Sequence, residues 1–332
     1  MFKYARRTAS AVLIMGVLVA AGACSSTGGK KAAEENAGIT AGKADTPAIT
    51  VAMITHAAPG DTFWDIIRKG AESAAAKDNV TLKYSSDPTS ANQANLIQSA
   101  IDSKVDGIAV TLPDPPALIP VVKKAIAAGI PVVAFNAGIT EFENSGALAY
   151  FGSDETVAGE TAGKRAAADG AKHVLCVIQE QGQVQLEARC TGVQQGFGGT
   201  YDKIYVNGRD LPSVQSTIGA KLQQDPSIDL VVTLGAPYAL ASIEAIKSGN
   251  SKAKVATFDF NPQIPPQIKS GALQWAIDQQ PFLQGYESID SIWLYKNNGN
   301  VLGGGKATLT GPYLVDKTNV DFVGKFAAAG TR

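Results

Sequence analysis

The side chains that can do chemistry stand directly behind apolar, β-branched runs. Asp61, Phe63 and Trp64 follow such a run at 48–54, Asp114 sits in Pro-Asp-Pro-Pro after 107–111, and Asn136 closes Val-Val-Ala-Phe. In the second half Arg189 opens a helical stretch, Asp259 ends Val-Ala-Thr-Phe, and Gln279 follows Trp-Ala-Ile-Asp. Carboxylates and amides exchange hydrogen bonds, a guanidinium offers a rigid fork of donors, and an aromatic face stacks on C–H groups. Taken singly, each has a plain structural role, because Asp61 and Asp114 stand where helix caps stand and the two aromatics fit a helix core. Repeated behind successive strands, they form one candidate binding surface. Catalytic patterns are missing. There is no Gly-x-Ser-x-Gly elbow, and Gly159-Glu-Thr-Ala-Gly-Lys-Arg165 lacks the spacing of a phosphate loop. No Asp-rich calcium loop is evident, and two histidines leave little for a metal cluster, so no metal or cofactor is expected.

The elements that must position these residues alternate. Strand-like runs at 48–54, 80–84, 107–111 and 130–135 are separated by helical patterns from Thr62, at 90–103 and at 117–128. The pattern restarts after Phe151, with runs at 173–178, 203–206, 229–233, 254–258 and 273–277 and a last long helix at 285–295. Strands apolar on both faces imply parallel sheets covered by helices on both sides. Two such sheets place their ligand beyond the carboxyl ends of the strands, in a shared cleft.

Composition narrows the class. The chain has 332 residues, enough for about two domains, and 29 Lys plus Arg against 30 acids. With no basic excess, a nucleic-acid partner is not expected. Lys3, Arg6 and Arg7 precede an uncharged run at 9–23, so residues 1–23 read as a secretory signal peptide. Cys24 behind Ala-Gly-Ala is similar to the lipidated cysteine of bacterial lipoproteins, although Ala21 stands where Leu is usual. Residues 24–47 then form a polar tether, and the expected location is extracytoplasmic, held to the membrane only by lipid on Cys24. Without the leader, 26 basic residues face 30 acids, a net charge of −4. Cys176 and Cys190 have one possible pairing outside the cytoplasm, or remain two buried thiols.

Asp61-Thr-Phe-Trp64, Asp106-Gly-Ile, Gly129-Ile-Pro-Val-Val133, Phe258-Asp259 and Gly271-Ala-Leu…Gln279 occur in an order that resembles the sugar-binding proteins of bacterial ABC importers, those like the ribose-binding protein. The resemblance spans residues 48–310. It implies two Rossmann-like lobes, 48–150 plus 280–308 and 151–279 plus 309–332, joined by three hinge strands with a ligand cleft between them. It also implies that Phe63 and Trp64 sandwich a sugar ring, while Arg189, Asp259 and Gln279 bind its hydroxyls and Asn136 replaces an Asp. Departures at Ala137, Leu112 and Gly235 make ribose itself an unsuitable ligand. Asp114, His56, Arg209 and Asp210 are candidates to restore hydrogen bonding. The resemblance implies a monomeric solute-binding lipoprotein, without enzymatic activity, that closes on a neutral sugar or sugar alcohol and delivers it to an ABC permease. A receptor feeding a sensor kinase or chemoreceptor is the alternative. A repressor would need a DNA-binding helix pair before Ala48, where a leader and tether stand instead.

Overall fold

The computed structural model describes residues 43–332, so the leader, Cys24 and the tether up to residue 42 lie outside the described part. The first sheet contains β1 (Ile49–Thr55), β2 (Val80–Ser86), β3 (Gly107–Val110), β4 (Val132–Phe135), β5 (Tyr150–Ser153) and β11 (Ala307–Gly311). Their spatial order is β11-β5-β4-β3-β1-β2, and every pairing is parallel. The second sheet contains β6 (His173–Ile178), β7 (Thr200–Tyr205), β8 (Leu230–Thr233), β9 (Lys254–Phe258), β10 (Ala276–Asp278) and β12 (Tyr313–Val315). Its order, β12-β10-β9-β8-β6-β7, repeats the first, except that β12 runs antiparallel to β10. β3, β4, β6 and β8 are buried along their whole length, as parallel strands covered on both faces must be, whereas the edge strands β2 and β7 are partly exposed.

The helices α1 (Thr62–Lys77), α2 (Ser90–Asp102), α3 (Pro115–Ala127), α4 (Phe142–Ser145) and α10 (Pro281–Asn298) belong with the first sheet. Those of the second are α5 (Glu155–Ala168), α6 (Val184–Phe197), α7 (Leu211–Gln224), α8 (Ala236–Gly249), α9 (Ile264–Ser270) and α11 (Val320–Ala328). The chain crosses between sheets after Ser153, after Asp278 and between Gly311 and Tyr313, where the Gly311–Pro312 peptide is cis. Residues 151–153 and 309–311, expected in the second lobe, are therefore strand residues of the first sheet. The tether also ends earlier than expected. The backbone N–H of Ala44 donates to Lys77 O at 2.8 Å, and Thr46 meets Asn79 and Trp293. Among the described residues no helix is long and apolar enough to cross a membrane.

Two helix pairs pack backbone to backbone. A Cβ on Gly159 would stand 2.2 Å from Arg189 O, and one on Gly192 2.2 Å from Thr156 O, so α5 and α6 meet with no side chain between them. Gly70 and Gly285 do the same for α1 and α10. On its other side α6 is tied to β6, because Cys176 and Cys190 are disulfide-bonded with Cα atoms 5.9 Å apart. Of the two states open for these cysteines, the paired one is present. Replacing Gly192 with Ala forces the two helices apart, and chemical denaturation should show a loss of about 2 kcal/mol or more. An unchanged midpoint would mean that the contact yields freely.

Candidate functional site

Between the carboxyl ends of the two sheets lies a cavity with about 590 Å³ of free space, counting its mouth. From the first lobe it is lined by His56, Asp61, Thr62, Phe63, Trp64 and Asn136. Asp61 caps α1, with its carboxylate accepting from Phe63 N at 3.1 Å, and this fixes where the two aromatics leave the helix. Trp64 is buried in the core of the first lobe while its ring also faces the cavity. His56 packs edge-on against that ring, with centroids 4.7 Å apart. Its tautomer follows from the neighbours. The Gln185 amide nitrogen of the second lobe can only donate, so Gln185 Nε2 donates to His56 Nε2 at 3.1 Å. The ring proton of the neutral imidazole then sits on Nδ1, which donates to Thr111 Oγ1 at 2.8 Å, and the same hydroxyl oxygen also accepts from Gln93 Nε2. Burial, reinforced by Arg189, pushes His56 down to about 3, so the ring stays neutral.

The second lobe contributes the charged groups. Arg189 lies inside α6, and Glu155 is the first residue of α5. Each is 3% exposed. Arg189 Nη2 donates to Glu155 Oε1 at 3.0 Å and Nε to Oε2, a bidentate pair that orients the guanidinium, which also lies 5.3 Å from the Phe258 ring. Asp259 stands at the end of β9 with φ +67°, and Asn136 occupies the matching place after β4 with φ +61°. Asn and Asp tolerate this left-handed backbone better than most residues, and it turns both side chains out of their sheets. Asp259 Oδ1 accepts from Gln279 Nε2. Burial pushes its carboxyl up to about 7, against the pull of Arg189 and the Gln279 bond, with Asp61 and Glu155 adding to the rise.

Nine of the twelve expected residues line this cavity: His56, Asp61, Phe63, Trp64, Asn136, Arg189, Gly235, Asp259 and Gln279. Three do not. The Asp114 carboxylate is taken up as the cap of α3, accepting from Ala117 N, and Asp210 caps α7, accepting from Ser213 N at 3.1 Å. Arg209 is exposed outside the lining. Phe63 and Trp64 also cannot form a sandwich. Their rings stand at 90° with centroids 5.4 Å apart, whereas a clamp needs near-parallel faces roughly 7 Å apart, twice the carbon–carbon contact distance.

Gln179, Glu180, Gln185, Tyr238, Phe260 and Asn261 also line the cavity without having been singled out from sequence. Gln179 and Glu180 follow β6 as Asn136 follows β4, so the strand-end rule covers them. Gln185 sits on a helix face and carries no such mark. Gln284 was also missed. It accepts from Asn136 Nδ2 at 3.1 Å and donates to Gln279 O at 3.2 Å, tying the site to a chain crossing. Gln179 Oε1 and Gln279 Oε1 are buried without a protein partner, which leaves acceptors for hydroxyl groups. Among the described residues, one His/Asp group outside the cleft, His173 with Asp202 and Asp225, has ligand atoms close enough to hold an ion, but Lys221 Nζ already lies 2.6 Å from Asp202 Oδ2.

Two repeated parallel sheets, three crossings and a polar cleft with an aromatic wall define the type I periplasmic binding fold. A family profile described as "Periplasmic binding protein domain" matches residues 51–300, and the chain belongs to that family. It is similar to a carbohydrate transporter from Acidothermus cellulolyticus 11B, solved in complex with myo-inositol. The identity is 68% and the TM-score 0.85, over 86% of this chain and 100% of the other. An ABC sugar transporter (periplasmic sugar binding protein) from Legionella pneumophila is 25% identical over 79% and 99% of the two chains, with TM-score 0.71. The xylose/arabinose-binding protein of Sulfolobus acidocaldarius is 28% identical over 60% of this chain, and the D-ribose/D-allose-binding protein of Pseudomonas aeruginosa 26% over 57%. The matches span 54% and 62% of these two relatives' own lengths.

If the Asp259 carboxylate accepts from a ligand hydroxyl, the ionised form holds that hydrogen bond far more strongly than the protonated one. Ligand affinity should therefore fall about tenfold between pH 8 and pH 6, and Asp259→Asn should flatten that profile. Stability runs the other way. A folded value above the unfolded one costs stability above pH 7 and is relieved on acidification, so the ligand-free protein should gain from this group as pH falls from 7 towards 4. Titration calorimetry and thermal melts across that range check both signs, and a flat wild-type affinity profile would remove Asp259 from the hydroxyl-binding role.

Proposed function

We propose that this chain is the extracytoplasmic solute receptor of an ABC importer for a neutral sugar or sugar alcohol, and within that class for a cyclic polyol of the myo-inositol type. The observation that carries the reading is the cavity itself: an aromatic wall from one lobe faces the Arg189 fork and the Asp259 carboxylate of the other. A ring with C–H faces and a hydroxyl rim matches that arrangement, because the face stacks on Trp64 and the rim meets donors and acceptors. The 68% identical protein solved with myo-inositol supports the cyclitol within the class.

In this reading the open form takes the solute on the first lobe, and closure adds Arg189, Asp259 and the buried amides of the second. The His56–Gln185 contact and the hydrogen bond from Val184 N to Pro113 O at 3.3 Å join the lobes on closure. Lipid on Cys24 would hold the receptor at the membrane, and the closed shape would be what a permease recognises. The activity is capture and release, with no bond made or broken.

Thermal unfolding against a panel of pentoses, hexoses, linear polyols and inositols tests the class. A ligand at 100 times its Kd adds about 2.7 kcal/mol, which should raise the midpoint by roughly 5–10 °C. A shift for myo-inositol is expected, and a flat response to the whole panel would overturn the reading. Trp64→Ala should weaken the same ligand by about 2 kcal/mol, read by calorimetry as a Kd some thirtyfold higher. Unchanged affinity in that variant would place the ring elsewhere.

A further inference from the structure

We infer that the cleft prefers an amine-bearing cyclic polyol to its neutral counterpart, an inference that rests on the cyclic-polyol reading above and narrows its ligand class. The basis is the charge that the closed cleft gathers. Among the described residues, its lining carries three carboxylates, Asp61, Glu180 and Asp259, against one cation, Arg189. That cation is already matched, because Glu155 holds it through two hydrogen bonds. The remaining carboxylates come from both sides: Asp61 from the first lobe, Glu180 and Asp259 from the second. Closing the lobes thus brings like charges together in a medium where their repulsion is far stronger than in water.

The neighbours relieve this in part at Asp259, where Arg189 attracts the carboxylate and Gln279 Nε2 donates to it, but not at Asp61 and Glu180. Around Asp61 stand Asp65, Glu180, Asp259 and the Tyr238 phenol, with the Phe63 backbone N–H and the Trp64 indole N–H donating to it but no cation beside it. Near Glu180 the sole cation is Arg209, which is exposed at the rim. His56 is neutral, and burial raises the Asp61 and Glu180 carboxyls as it does Asp259. A positive charge that is not supplied by the protein can arrive with the solute. An ammonium group on a ring carbon is compact, replaces one hydroxyl and offers three donors to carboxylate acceptors. A carboxylate or phosphate on the same ring meets three negative groups and is excluded.

The test is titration calorimetry of the full chain at pH 7.5. The probes are myo-inositol, scyllo-inositol, 1-amino-1-deoxy-scyllo-inositol and glucuronate. All ring positions of scyllo-inositol are equivalent, so a single amine reaches any subsite by rotation of the ring. The amino compound should bind at least tenfold tighter than scyllo-inositol, and glucuronate should not bind measurably. Glu180→Gln should cut the amine-to-neutral ratio at least threefold, and Asp61→Asn should cut it as well. If an inositol binds but the amino compound binds no better, or if neither variant changes the ratio, the amine preference is overturned and the polyol reading stands. If glucuronate binds as well as the inositols, the charge argument itself is wrong. If no inositol of either kind binds, the polyol reading fails and this inference with it.

Discussion

The cleft depends on one buried charge being held still. Arg189 has 3% of its surface exposed, and an unpaired guanidinium there would cost several kcal/mol. Glu155 answers that cost, and everything around α6 serves to keep the two in register. Gly159 and Gly192 let α5 and α6 touch along their backbones, so the first residue of one helix reaches the middle of the other. Cys190, the residue after Arg189, is bonded to Cys176 on β6, and Tyr201 donates to Cys190 O at 2.9 Å. The strand pinned in this way is the one that ends in Gln179 and Glu180. One helix, fixed on two sides, therefore places the donor fork, and one strand places acceptors beside it.

The second determinant is repetition. β4 and β9 occupy matching places in sheets of the same strand order, and each ends in a residue with positive φ and a short polar side chain. This geometry costs of order 1 kcal/mol per residue and points one amide and one carboxylate into the same space from opposite sides. The crossings are joined to it. Gln280 also has positive φ, at 55°, and Gln284 links Asn136 to Gln279 and Thr310, which stand at the second and third crossings. A change in lobe angle would therefore be felt at the residues that line the cleft, the coupling of motion to occupancy that the proposed receptor role requires.

Much of this was legible in the chain because periodicity and apolar runs fix parallel strands, and parallel sheets fix where their ligands sit. Reading the residues behind the apolar runs singled out Trp64, Asn136, Arg189, Asp259 and Gln279, and the ordered motifs contain Trp64, Asp259 and Gln279. The same rule over-reached at Asp114, and the search for replacement hydrogen-bonding groups over-reached at Asp210; each carboxylate is consumed by its own helix N-terminus. Local capping and long-range recognition use identical residues, and sequence spacing does not separate them. The sandwich expected of Phe63 and Trp64 failed for a related reason: adjacent helical residues diverge by about 100°, so two neighbours cannot present parallel faces. Glu155 and Gln284 carry no signal at all, since each matters only through a partner dozens of residues away. What the chain could not show was pairing at a distance, and the site is built from such pairs.

The most direct measurement is an experimental structure of the chain with myo-inositol bound. The account places the ring between the two sheets, one face on Trp64, with Arg189 and Asp259 both within hydrogen-bond distance of its hydroxyls and the Arg189–Glu155 pair intact. A ligand found outside the cleft, or one inside it that leaves Arg189 and Asp259 without contact, would contradict the account at its centre.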